Sequence, residues 1–145
     1  MSVQAKRRAD YQPPAFSIAT VDLHITLHPT QTKVISTLSV TRNGAHDSPL
    51  VLDGDNLSLD SISINGTHLS DNEYTVTDSA LSVVTELDEF VLEITNTIAP
   101  EHNKALEGLY LSGGAYCTQC EAEGFRRITY FMDRPDVLSV YTVTV

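Results

Sequence analysis

An all-β fold, an antiparallel β-sandwich, is what this 145-residue sequence predicts. Three observations lead there. Apolar residues recur at every second position along most of the chain. Turn-forming pairs such as Asn43-Gly44 and Asn65-Gly66 separate the alternating segments. No window carries a convincing helical period; the best candidate, around Asn103 to Leu109, is one or two turns long.

Residues 1–14 read as a flexible lead-in, with a charged start and Pro13-Pro14 at its end, and residues 15–145 as the β domain. Val21, Leu23, Ile25 and Leu27 place apolar groups on one face of the first strand, with Asp22, His24 and Thr26 on the other. Pro29-Thr30-Gln31 turns the chain into Val34, Ser36, Leu38 and Val40. Leu50 and Leu52 precede Asp53-Gly54. Leu57, Leu59, Ile62 and Ile64 lead into Asn65-Gly66, a strong hairpin signal because both residues must take positive φ. Tyr74 and Val76, then Leu81 and Val83, then Phe90, Leu92 and Ile94 mark further short strands. Val137, Ser139, Tyr141 and Val143 alternate up to Val145, where the pattern stops without a turn; the expectation is a piece of a longer protein.

Length and composition bound the function. A chain of this size suits one domain that buries roughly 70% of its unfolded surface. Nineteen acids against nine Lys and Arg give a formal charge of −10. That excludes a typical nucleic-acid binder, which needs clustered cations, and suits a protein that attracts amines or cations. No apolar run approaches the ~20 residues of a membrane helix. The basic start has no apolar stretch behind it and is not a secretory signal, so a cytoplasmic location is expected. Asn-x-Ser/Thr triplets at Asn56 and Asn65 then carry no meaning.

The dense stretch is Tyr116 to Glu123, YCTQCEAE. If it is extended, Cys117, Gln119, Glu121 and Glu123 share one face, and Cys120, Ala122 and Gly124 the other. Cys120 and Ala122 suit a core; two carboxylates and an amide suit solvent or a cleft. One Cys-x-x-Cys gives two zinc ligands where a structural site needs four, and no second pair exists. A redox dithiol needs a lowered thiol pKa, and two neighbouring glutamates oppose that. Two small buried residues is the favoured reading of the cysteines. The glutamates read either as solvated charges neutralised by Arg126 and Arg127 or as ligand contacts; from the residues alone both stay open. His24, His28, His46 and His68 read as surface residues. No Ser-His-Asp arrangement, phosphate loop or His-Glu-x-x-His is present.

ALEGLY (105–110) followed by SGGAYCTQCEAEGFRRITYFMDRPDV (112–137) resembles the N-terminal domain of the bacterial zinc aminopeptidase N family, a gluzincin metalloaminopeptidase family. VDLHITL, PLVLDG, SISING and LEITNTIAP fit the same domain in the same order. The resemblance covers nearly the whole chain after about residue 10. It implies a saddle-like β domain seated over a thermolysin-like catalytic domain. It implies zinc bound in the parent enzyme by a His-Glu-x-x-His helix and a further glutamate, all absent from this sequence. The chain is thus expected to hold no metal or catalytic residue and to be inactive alone. Its partners would be the missing catalytic domain and peptide substrates with a free N-terminus, with self-association of the isolated piece possible.

Two positions carry a family role, Gln119 and Glu121. The resemblance implies that both reach into the active site. A free amino terminus has a pKa of about 8 and is largely ammonium near neutrality. A carboxylate that accepts charge-assisted hydrogen bonds from it fixes where the peptide begins. Glu121 is the candidate for that contact, and Gln119, both donor and acceptor, suits the first residue's backbone or pocket. Glu123 receives no such role. Two rivals stand beside this reading: a free-standing β-sandwich that binds a protein or an amine, and a purely structural cap that touches no substrate.

Overall fold

The structure is a computed structural model that describes residues 7–145. Strands dominate, in the order β1 (Phe16–Thr26), β2 (Thr32–Arg42), β3 (Leu50–Asp53), β4 (Ser58–Ile64), β5 (Thr67–His68), β6 (Tyr74–Val76), β7 (Ala80–Val83), β8 (Glu89–Ile98), β9 (Gly108–Ser112), β10 (Ala115–Gln119) and β11 (Val140–Thr144). The helical content among the described residues is three single 3-10 turns, Arg8–Asp10, Pro100–His102 and Phe125–Arg127. The sheets are a six-stranded β11-β1-β2-β8-β4-β5, a three-stranded β3-β7-β6 and the β9/β10 hairpin. Among the described residues, all strand pairings are antiparallel except one. The last strand runs parallel to β1, with Val21 opposite Tyr141.

Alternation produces the core where it was expected. Val34, Ser36, Leu38 and Val40 are all buried, as are Leu50, Leu52, Leu81, Val83, Phe90, Leu92 and Ile94. These residues and Ile128, Tyr130, Phe131 and Met132 form one cluster shared by the six-stranded sheet, the three-stranded sheet and the segment after the dense stretch. Two strands change phase at bulges. In β1 the register slips at Ala19, so Phe16 and Ile18 face inward before it and Val21 and Leu23 after it. In β4 it slips at Asp60, between Leu59 and the buried pair Ile62 and Ile64. Leu27 falls outside β1 and is exposed.

Buried polar groups tie the core to the later segment. Asn96, fully buried on β8, donates from Nδ2 to the Ile128 carbonyl (3.0 Å) and accepts from the Thr129 hydroxyl (2.8 Å). His46 is not a plain surface residue. Its ring packs edge-on to Phe16 at 5.3 Å, Nε2 contacts the Ala15 carbonyl at 2.8 Å, and Nδ1 accepts from the Ser48 backbone N–H. Arg42 covers the same Phe16 ring at 4.8 Å.

The expected lead-in divides in two. Residues 1–6 lie outside the described residues. Beyond them, the Tyr11 hydroxyl donates to Asp136 (3.0 Å), Arg134 donates to the Gln12 carbonyl (2.9 Å), and Asn43 donates to the Pro14 carbonyl (3.0 Å).

Candidate functional site

The site is built on the β9/β10 hairpin and the turn that follows it. Gly113 and Gly114 reverse the chain at positive φ, and β10 pairs back along β9 with Gln119 opposite Gly108. There the strand ends. Residues 121–124 form a turn, closed by the Gly124 N–H on the Cys120 carbonyl at 2.8 Å. The extended alternation expected through Glu123 therefore stops at Gln119. The chain curls there, and Gly124 settles against Gly108. A Cβ on Gly124 would lie 2.5 Å from the Gln119 carbonyl oxygen and 3.2 Å from the Gly108 nitrogen.

This curl re-sorts the side chains. Cys120 packs against the core, as expected, but Ala122 is exposed and it is Gly124 that is buried. Gln119 and Glu121 are both exposed and adjacent. The Gln119 side-chain amide donates to the Glu121 backbone carbonyl at 3.1 Å, bridging the turn. The Glu121 carboxylate makes no hydrogen bond or ion pair with any other described residue. It is an exposed acid on a short turn.

The two arginines do not neutralise Glu121. Arg126 bonds chiefly to Asp133, with Nε 3.0 Å from Oδ2, and reaches Asp53 at 3.8 Å and Glu123 at 3.7 Å. Arg127 bonds to Asp55 at 2.8 Å and Glu107 at 3.2 Å. Among the described residues, an arginine engages Glu123 and none engages Glu121. Burial pushes the Arg126 guanidinium's pKa down, but the hydrogen bond to Asp133 and the charges of Asp53, Asp133 and Glu123 outweigh it and the net shift is upward.

Cys117 and Cys120 are free thiols. Burial first, and the Asp133 charge second, raise the Cys120 pKa, which opposes redox or nucleophilic chemistry. The expected direction holds, but its cause is burial and Asp133 rather than the neighbouring glutamates. Among the described residues no group of three His, Cys, Asp or Glu is placed to hold a metal ion, so the donors here do not fit a zinc site. No helix among them is long and apolar enough to cross a membrane.

Reasoning from sequence missed the Gly108–Gly124 contact and the Arg126–Asp133–Asp53 cluster. Gly-Phe-Arg-Arg followed by Asp133 offered a signal for an ion pair. Nothing local could name Asp53, 73 positions earlier, as the third member.

The chain is 54% identical over 142 residues to aminopeptidase N of Caulobacter vibrioides and 45% identical over 145 residues to aminopeptidase N of Escherichia coli, matching over 98% of its own length in each case. It spans only 16% of the length of either relative. Aminopeptidase A of Legionella pneumophila, solved in complex with aspartic acid, superposes on 95% of the chain with a TM-score of 0.86 and 33% identity, over 17% of that protein. The M1 zinc metallopeptidase of Deinococcus radiodurans, 20% identical, shares the fold over 89% of this chain and 32% of its own, with a TM-score of 0.73. Residues 10–145 match the family model of the Peptidase M1 N-terminal domain, and the chain belongs to that family.

Proposed function

We propose that this chain works as the N-terminal, substrate-recognising domain (residues 15–145) of a longer zinc-dependent aminopeptidase. That enzyme removes N-terminal amino acids from peptides in the cytoplasm. Zinc and the catalytic groups are supplied by another part of the polypeptide, and the chain alone is inactive. The domain caps the active site and presents Glu121 to the ammonium group of the substrate. Because the main-chain nitrogens beyond the first are uncharged amides, pairing of the terminal ammonium with that carboxylate also sets the register: the first peptide bond, and no later one, meets the metal. Gln119 lies beside it and offers its remaining polar atoms to the first residue.

The observation that carries this reading is the Glu121 carboxylate itself, exposed and without an intramolecular partner among the described residues, in a domain whose other acids near the site are engaged by arginines.

Kinetics of Glu121→Ala in the longer enzyme test it. The expected loss is about 2–4 kcal/mol of transition-state stabilisation, the scale of a desolvated charge pair that loses one partner. A kcat/KM within threefold of wild type would overturn the reading and favour a cap that touches no substrate. Glu121→Gln separates charge from hydrogen bonding. If charge carries the contact, the glutamine variant resembles the alanine one.

A further inference from the structure

Glu121 lies on a turn whose own bonds are few. Gly124 N–H to the Cys120 carbonyl closes it, and Gln119 bridges it. A binding group must be held to within about 0.5 Å to work well, and a short exposed turn does not hold itself to that tolerance. Cys120 anchors one end of the turn in the core, and the residues that follow it, Arg126 and its partners, supply further rigidity.

The Arg126 cluster is closed on itself. The Arg126 backbone N–H and Nε both donate to Asp133 Oδ2, at 3.1 and 3.0 Å, and Nη2 donates to the Asp133 carbonyl at 3.0 Å. The Asp133 N–H donates to Asp53 Oδ2 at 3.0 Å, while Asp53 Oδ1 faces Arg126 Nη1. The Arg126 carbonyl accepts from Asp55 N–H at 3.0 Å. Side chains of Arg126 and Asp133 are 24% and 12% exposed, so the bonds between these two are partly shielded from water and salt. The same guanidinium reaches back to Glu123, inside the turn. Gly124 seats the turn from the other side, with no room for a side chain.

We propose that Arg126 is a positioning residue for Glu121: its bonds to Asp133 and Asp53 lock the 120–124 turn onto the end of β3, so that the carboxylate is presented at one fixed place. The proposal rests on the reading of Glu121 given above. Lysine cannot substitute, because a point ammonium cannot supply the Nε and Nη donors of a planar fork.

Two measurements test it. In the longer enzyme, Arg126→Lys should lower kcat/KM about 10- to 100-fold for peptides with a free amino terminus, the cost of displacing a binding group by about 1 Å. In a Glu121→Ala background the same substitution should change it by less than about threefold, because the group being positioned is already gone. Gly124→Ala, which moves the turn without removing a charge, should show the same non-additivity. In the 145-residue chain, Arg126→Lys should speed hydrogen exchange of the Gly124 amide while the β2 and β8 amides keep their protection. Losses that multiply in the double variants would make Arg126 a general support of the fold, and a Gly124 amide that exchanges no faster would show that it does not order the turn; either result overturns the proposal. A silent Glu121→Ala would instead remove the functional reading, and the exchange result would still decide what Arg126 does to the turn.

Discussion

Cys120, Tyr130 and Tyr141 share one consequence of where they sit. Burial raises the pKa of all three, with the Asp133 charge adding to it for Cys120 and Tyr141. A raised pKa on an acid that is neutral when protonated means the folded chain keeps its proton longer than the unfolded one. Stability is then constant below the unfolded values, about 8.5 for a thiol and 10 for a phenol, and falls as pH rises past them. The expected outcome is a urea midpoint that is flat between pH 7 and 8 and declines from there to pH 10.5. Cys120→Ser, which does not ionise, should remove the first part of that decline. A midpoint that rises above pH 8.5 would contradict this. Glu121 belongs to the same scale with a different character: it is exposed and its carboxylate is unpaired among the described residues, which is what the proposed contact with a substrate ammonium requires.

The hairpins and bulges show how much of each element is local. Asn65 and Gly66 adopt φ of 49° and 81°, the two positive values that their pairing in the sequence demands, and Asn65 Oδ1 also accepts from Val91 N–H at 2.8 Å. Nothing lies within 4 Å of a Cβ built on Gly66. Gly66→Ala therefore isolates backbone strain from clash and should cost about 1–2 kcal/mol in urea unfolding with an unchanged slope. An unchanged midpoint would mean that the turn does not need its left-handed residue. Strand phase was legible where it was unbroken, as in β2 and β8. It was also legible in part at β4, where Leu59 and Ile62 have opposite parity, a direct sign of an inserted residue. The end of β10 at Gln119 was not legible. Polar residues alternate through Glu123 as they would in a strand, and the curl brings Gly124 against Gly108, a contact that no neighbouring residue signals.

At the scale of the molecule, β11 is the feature that stands apart. Tyr141 on one face packs against Phe125 and Phe131 at 5.8 and 6.1 Å. Val143 and Val145, on the same face, run past that cluster and are 53% and 76% exposed, while Leu138 and Val140 are 87% and 71% exposed. Among the described residues no strand pairs with the outer edge of β11. An open edge with apolar flanks is a template for another strand. The isolated chain should self-associate at high concentration, and more so at high salt, where the formal charge of −10 no longer keeps copies apart. Light scattering checks this. Val140→Lys with Val143→Lys should reduce the association, and a clean monomer at millimolar protein in high salt would refute it.

The sequence by itself determined the all-β class, most strands, the hairpin at Asn65-Gly66 and the family, because alternation, turn chemistry and a long specific motif are all written in neighbouring positions; the proposed roles of Gln119 and Glu121 rest on that same motif. Tertiary structure alone decided the parallel seat of β11, the curl after Gln119, the burial of Gly124 in place of Ala122, and the partners of Arg126. Each of these depends on which distant segment fills a given space. Asp53 meets Asp133, and Gly108 meets Gly124, only once the sheets have stacked and the backbone has come within contact distance.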